Sequence, residues 1–460
     1  MSAQKKRGQR RPAQPWRTHG RLVVSRDGHS FEHEDGTPFF WLGDTAWGLH
    51  QNLSRRDVRL YLDDARQSRF NVIQLMASNP WGLNKQKNCF GDRPYIAGNA
   101  TRLNPRYWEH LAWVVDEAAA RGLFVLLVYG CPGRIDERLP FVETAQQAYA
   151  YGHGVGRHLA GRPNMIWSNG IDVNPDDTRR VSKMGMAGWH AMAEGVADGV
   201  NGKRTRDGKP DYSTLLMTYH PRGWANSAQW FHDADWLHFN GIQVGMRHEK
   251  LLCRTIRADY RLRPAKPVVN LEPWYERVAW KKDGTPVNAW DVRVQAYQGV
   301  FAGAAGHAYG HHDIWPMDAP RAKRKGKWKR ALGAPGRRQM PYLRRLMDTM
   351  PQCRQRPAAP LLTGAPNKHH KSMALCVRIG ATAAADRCSA LVYTPQGEPF
   401  EIDMGRLNGK RVRARWFSPR SGAWRPVGVL ACKDTRGFAP PGKPGQGNDW
   451  VLALDACNQG

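Results

Sequence analysis

Met165-Ile166-Trp167-Ser168-Asn169-Gly170-Ile171-Asp172 and Val268-Val269-Asn270-Leu271-Glu272 are short apolar runs that each end on a carboxylate. Runs of this length bounded by turn residues read as buried strands. An acid at the C-terminal end of a buried strand is costly to bury unpaired, so its position points to a ligand. Six further runs have the same character: Phe39–Asp44, Asn71–Met76, Phe124–Tyr129, Leu215–Thr218, Trp236–Gln243 and Gly306–Tyr309. Amphipathic stretches lie between them, at Ser54–Arg66, Pro105–Arg121, Thr144–Leu159, Met184–Val200, Lys250–Tyr260 and Ala289–Ala304. Ser54 and Asn104-Pro105 are helix-start signals, and Gly122 stands where a helix must stop before a strand. Strands alternating with helices over this length predict an α/β fold, a parallel (β/α)8 TIM barrel. A doubly wound nucleotide-binding sheet is disfavoured, since no GxGxxG follows the first run.

Residues 319–338 are basic and aperiodic and read as a loop after the eighth strand, with Pro341–Met350 as a closing helix. Beyond Pro360 the pattern changes to short β pieces at Met373–Val377, Ala390–Thr394, Phe400–Asp403, Arg411–Phe417 and Trp450–Leu454. Turn signals at Gln396-Gly397, Asn408-Gly409 and Ser421-Gly422 separate some of these pieces, as in a small antiparallel β-sandwich. The expected organisation is a basic tail over 1–20, a catalytic barrel over 21–355 and a C-terminal sandwich over 356–460.

Hydrophobic residues make up 41% and aromatic residues 10% of the 460, enough for a large core. The 69 basic and 40 acidic residues leave a net charge of +29. Part of the excess is concentrated in residues 1–20 and 321–330, segments suited to non-specific contact with a polyanion. The eight cysteines show neither CxxC nor zinc spacing, so reduced thiols are expected, with Cys376 and Cys388 a pair only in an oxidising compartment. No apolar segment follows the charged N-terminus and no run reaches membrane-spanning length. A cytoplasmic protein with no membrane partner is therefore expected; the oligomeric state stays open.

The strand ends supply the candidate site. The first run ends at Asp44 and leads to Trp47, the second carries Asn71 and Gln74, and the fifth leads to His220. The sixth ends at Gln243, the seventh continues to Tyr275, and the eighth holds His307 and Tyr309 and leads to His311. Amides, imidazoles, phenols and indoles around Asp172 and Glu272 describe a pocket for a polyol, with carbohydrate as substrate. Retaining glycoside cleavage uses one protonated carboxyl and one carboxylate about 5–5.5 Å apart. Strands four and seven can hold such a pair across a barrel mouth. His307, His311 and His312 with Asp313 suggest a metal site, but they lack fixed ligand spacing, so neither metal nor other cofactor is expected.

Pro38–Trp47, Phe70–Gln74, Leu216–Gly223 and Phe301–His312 resemble the apiosidase-like glycoside hydrolases, family 140 and its relatives. The stretch ending Gly447-Asn448-Asp449-Trp450-Val451-Leu452 is similar to the small β domain named for collagen binding in such proteins. The resemblance covers roughly residues 20 to 457 and implies a glycosidase with Asp172 as acid/base and Glu272 as nucleophile. The chain departs from the family runs at Ile171 and at Asn270-Leu271. It implies exo action, apiosidase-like, on a pectic or other plant-type glycan. The alternative is a degenerate barrel serving as a scaffold that binds nucleic acid or an acidic polysaccharide.

Overall fold

The computed structural model describes residues 13–78, 87–130, 142–170, 172–177, 183–243, 252–279, 281, 284–319, 325–349, 355–363, 380–384 and 388–457. Its larger sheet contains the barrel strands β1 (Trp41–Thr45), β2 (Val72–Met76), β3 (Phe124–Val128), β4 (Met165–Asn169), β5 (Met217–Tyr219), β6 (Asn240–Gln243), β7 (Val268–Glu272) and β8 (Gly306–Tyr309). β1 to β5 pair in parallel in sequence order, as do β6 to β8, and β8 returns to pair with β1. Between β5 and β6, His238 N–H donates to Met217 O at 2.9 Å and the Thr218 hydroxyl donates to Phe239 O at 2.7 Å. These contacts complete the (β/α)8 barrel. A short strand, Ala225–Asn226, adds antiparallel to β6.

The outer layer includes α1 (Arg55–Gln67), α2 (Pro105–Ala119), α3 (Ala145–Leu159), α4 (Gly185–Val200), α5 (Leu252–Tyr260), α6 (Ala289–Phe301) and α7 (Pro335–Asp348). Local sequence starts several of them. The Ser54 side chain accepts from Asp57 N–H, Asn104 accepts from Arg106 N–H, and Thr144 with Gln147 forms a capping box. Inside the barrel, Trp41, Val72, Leu126, Ile166, Phe239 and Leu271 share one apolar cluster with the N-terminal Trp16, Leu22 and Phe31. The antiparallel strands at Leu22–Val24, Phe31–His33 and Pro38–Phe39 therefore plug the N-terminal end and leave the opposite end for a site.

Two sequence expectations change here. The stretch expected as a loop over 319–338 contains a helical turn, Lys327–Ala331, with Trp328 fully buried, and α7 begins at Pro335 rather than 341. Pro335 occupies the first helical turn, where its missing N–H costs nothing. The expected strand Trp236–Gln243 is regular only from Asn240, because residues 234–238 turn beneath β5.

The C-terminal part forms two antiparallel sheets, the larger with order β9 (Gln355–Pro357), β11 (Gly380–Ala384), β12 (Ser389–Thr394), β17 (Trp450–Ala456), β14 (Arg411–Phe417) and β15 (Trp424–Ala431). The smaller joins β10 (Leu362–Thr363), β13 (Phe400–Asp403) and β16 (Thr435–Phe438). Strand alternation divides the central residues between two cores. Val392, Trp416 and Leu452 pack inside the sandwich, whereas Tyr393, Phe417 and Val451 join the apolar core of the barrel. Sequence reading missed the short β9, β10 and β11 and also β15 and β16, the last two having exposed faces that give them little apolar signal. The expected strand Met373–Val377, most of the basic tail, Arg321–Arg324 and Cys376 lie outside the described residues.

Candidate active site

Period-two alternation alone turns Glu272 away from the barrel interior, since Asn270 faces outward beside Ile242 and Leu271 faces inward. An irregularity resolves this. The β6–β7 register steps between Ile242↔Asn270 and Gln243↔Glu272, so Glu272 shares a face with Gln243. A bulge at a barrel rim re-aims a side chain in this manner.

Asp172 lies just beyond β4 with φ at +44°, a left-handed conformation uncommon for a residue with a side chain. Such strain persists only where surroundings impose it. The Gln243 side chain hydrogen-bonds the Asp172 carboxyl. Burial, and then the negative charge of Glu272, push that carboxyl up from 3.8 to about 6; His220, Arg222 and the Gln243 bond oppose the rise. The mutual repulsion places the two carboxyl groups in one small space.

Glu272 is contacted from two sides. His220 Nε2 stands 3.4 Å from its Oε2, while Nδ1 of the same ring donates to Pro221 O at 3.0 Å. The buried Tyr275 hydroxyl hydrogen-bonds Glu272 and receives Trp47 Nε1–H at 3.0 Å. Burial and the Glu272 charge hold that phenol well above its ordinary pKa, so it stays a donor. The indole of Trp47 also meets the His220 ring edge to face at 5.4 Å. Gly310 is required beside this group, because a Cβ there would lie 2.1 Å from the Tyr275 ring.

Comparison with known proteins accords with this geometry. Residues 25–354 match the family model described as the apiosidase-like catalytic domain. The chain belongs to the apiosidase-like glycoside hydrolases. A solved glycoside hydrolase is 30% identical, with a TM-score of 0.83 over 97% of this chain and 99% of its own. A glycoside hydrolase family 5 structure from Bacteroides vulgatus ATCC 8482 is 31% identical, with a TM-score of 0.81 over 96% of this chain and 94% of its own. Residues 367–455 match the model named for the collagen-binding domain of a collagenase. No curated protein sequence matches the chain.

In this apiosidase-like hydrolase Asp172, Glu272, Trp47, His220, Gln243 and Tyr275 form one cluster, as expected from their strand ends. The other candidates have structural employments, and four of them, Asp44, Asn71, His307 and Tyr309, face away from this cluster or lie at the far end of the barrel. Asp44 faces the helix layer, where it accepts from Tyr61 at 2.8 Å and from Arg337 of α7 at 3.0 Å, all three fully buried. Asn71 is at the opposite barrel end, bridging Leu42 N–H and Phe40 O at 2.8 Å each. Gln74 points into the barrel and donates to Thr45 Oγ1 and Leu271 O, both at 2.9 Å. It supports the site from below, since Thr45 also hydrogen-bonds Tyr275.

His307 pairs in register with Leu42 and Asn270 on the outward face of β8, and complete burial lowers its pKa to about 3. The Tyr309 hydroxyl donates to Glu276 at 2.6 Å, and Glu276 also accepts from Gly336 N–H at the start of α7. His311 accepts from Asp313 N–H through Nδ1 at 3.0 Å. Among the described residues no cluster of His, Cys, Asp and Glu is arranged to hold a metal ion, and no helix is long and apolar enough to cross a membrane. Sequence reading did not select Arg222, Thr45 or Gly310. Arg222 carried a signal, since it follows His220-Pro221 at a strand end; the other two act through neighbours that only the fold supplies.

Proposed function

We propose that this protein is a retaining, exo-acting glycoside hydrolase that removes a terminal sugar from a plant-type glycan, apiosidase-like in specificity. The observation that carries the reading is the neighbouring pair Asp172 and Glu272, with the first raised to about 6 by burial and the charge of the second, and the second hydrogen-bonded by Tyr275. Their environments push the two carboxyl groups toward different tasks. Asp172, protonated, gives its proton to the glycosidic oxygen as the bond to the anomeric carbon breaks. Glu272 attacks that carbon and forms a glycosyl-enzyme. Asp172, now ionised, takes a proton from water, whose oxygen displaces Glu272 and releases the sugar with its original configuration. Family membership supports a carbohydrate substrate, and the apiosidase name supports removal of a single branch sugar.

The test is hydrolysis of a panel of aryl glycosides and pectic oligosaccharides by wild type beside Glu272→Gln. Turnover abolished in the variant, with first product of retained configuration by proton NMR, supports the assignment. Turnover that survives in Glu272→Gln, or an inverted product, overturns it.

A further inference from the structure

Between Asp403 and Asp434 the chain contains no acidic residue, yet it holds Lys410, Arg411, Arg413, Arg415, Arg425 and Lys433 among its basic ones. The β14–β15 hairpin gathers this charge. Val412, Ala414 and Trp416 of β14 pack into the sandwich core. Alternation therefore sends Arg411, Arg413 and Arg415 to the opposite face, spaced about 7 Å apart. On that face Asp455 of β17 pairs with Arg415 at 2.6 Å, and the Arg415 guanidinium lies 4.4 Å from the centre of the Trp424 ring. Arg411 and Arg413 are exposed and form no ion pair among the described residues. On the β15 side Ala431 and Val429 stand across from them, the valine 45% exposed, with Val427 41% exposed nearby; on the β17 side Arg413 stands opposite Asp455, whose carboxylate is held by Arg415.

Protection of a sheet edge does not account for this arrangement. Guarding charges belong on the edge strand itself. Here the edge strand is β15, which has Arg425, Pro426 and a bulge as guards of its own beside the exposed valines, and Arg411 and Arg413 stand on the strand behind it.

We propose that the β14–β15 hairpin is a docking surface for an acidic polysaccharide, with Arg411 and Arg413 pairing its carboxylates and Val429 lying against its sugar rings. Charge complementarity selects a polyanion. A glycan is chosen over nucleic acid because the same chain carries a glycosidase barrel and because the patch mixes guanidinium groups with aliphatic surface. The surface shares no residue with the Asp172 and Glu272 cluster and acts by holding the enzyme on its substrate polymer.

The experiment measures binding of the full-length protein to immobilised polygalacturonate at low salt, with neutral arabinan and double-stranded DNA as comparison polymers. Arg411→Ser/Arg413→Ser is compared with Arg56→Ser/Arg66→Ser, an equal loss of charge on exposed positions of α1. The hairpin variant should bind polygalacturonate about tenfold more weakly, while the α1 variant stays within about twofold of wild type. Equal weakening in both variants, no weakening in the hairpin variant, or tighter binding to DNA than to polygalacturonate overturns the proposal. Matching thermal unfolding of the variants separates binding loss from misfolding. Because binding is read without turnover, failure of the retaining mechanism leaves this result standing.

Discussion

Arg293 of α6 and Asp449 of the C-terminal sandwich form a two-pronged ion pair, with Nε at 2.9 Å from Oδ2 and Nη2 at 2.7 Å from Oδ1. Both side chains are buried. The Tyr393 hydroxyl donates to the same carboxylate, and its ring stacks on Tyr297 of α6 at 5.0 Å. Trp290 Nε1–H of the same helix reaches Pro395 O at 2.8 Å. From α6, Gln295 accepts the N–H of Trp274, between Glu272 and Tyr275. The sandwich is thus packed on the helix that steadies the candidate nucleophile's loop. Removing one partner strands the other charge in the interior. Asp449→Ala should cost about 3–5 kcal/mol, read as a lower midpoint in chemical denaturation. An unchanged midpoint refutes the clamp.

The Asp172 carboxyl predicts the alkaline limb of activity. Its pKa is raised to about 6, so the proton needed by the leaving oxygen is present below that pH and lost above it. For a natural leaving group kcat/KM should fall as pH rises through about 6. In Asp172→Asn the limb should vanish, and an aryl glycoside with a very acidic phenol should retain far more turnover than a natural substrate. A limb that persists in that variant assigns the proton to another group.

Tyr275→Phe removes the hydroxyl donor to Glu272 and leaves the ring in place. A hydrogen bond to a charged group is worth about 1.5–3 kcal/mol, so turnover should drop roughly 10–100-fold. Gly310→Val should do at least as much harm by displacing the ring itself, with circular dichroism showing the barrel intact. Equal activity of Tyr275→Phe and wild type rules out the contact as a catalytic support.

Asp44 at the end of β1 is paired with Arg337 rather than open to the barrel mouth. If Asp44 held substrate, Asp44→Asn would raise KM. Its burial between Tyr61 and Arg337 predicts lost stability with KM unchanged. Arg337→Met should destabilise the fold by about 3–5 kcal/mol, because it leaves Asp44 buried without its cation.

Short-range chemistry made much of this molecule legible from its sequence. Apolar runs as short as those ending at Asp172 and Glu272, caps at Ser54 and Asn104, and the change of period beyond Pro360 each depend on neighbours a few residues away. They sufficed for the barrel and the sandwich. Which way a polar residue turns was another matter. Asp44, His307 and Tyr309 occupy barrel strands like Gln243, yet they face the helix layer, and Asn71 lies at the wrong end. The β-bulge at Glu272 reverses the expected parity and has no local signature. Arg337 pairs with Asp44 across 293 residues, and Asp449 with Arg293 across 156. Burial makes such partners obligatory, but their identity follows from which helix packs on which strand. The sequence by itself determined the architecture, because local periodicity encodes it; tertiary structure alone decided which polar side chains, Glu272 included, share the mouth, because strand parity, bulges and long-range charge pairing are properties of packed elements.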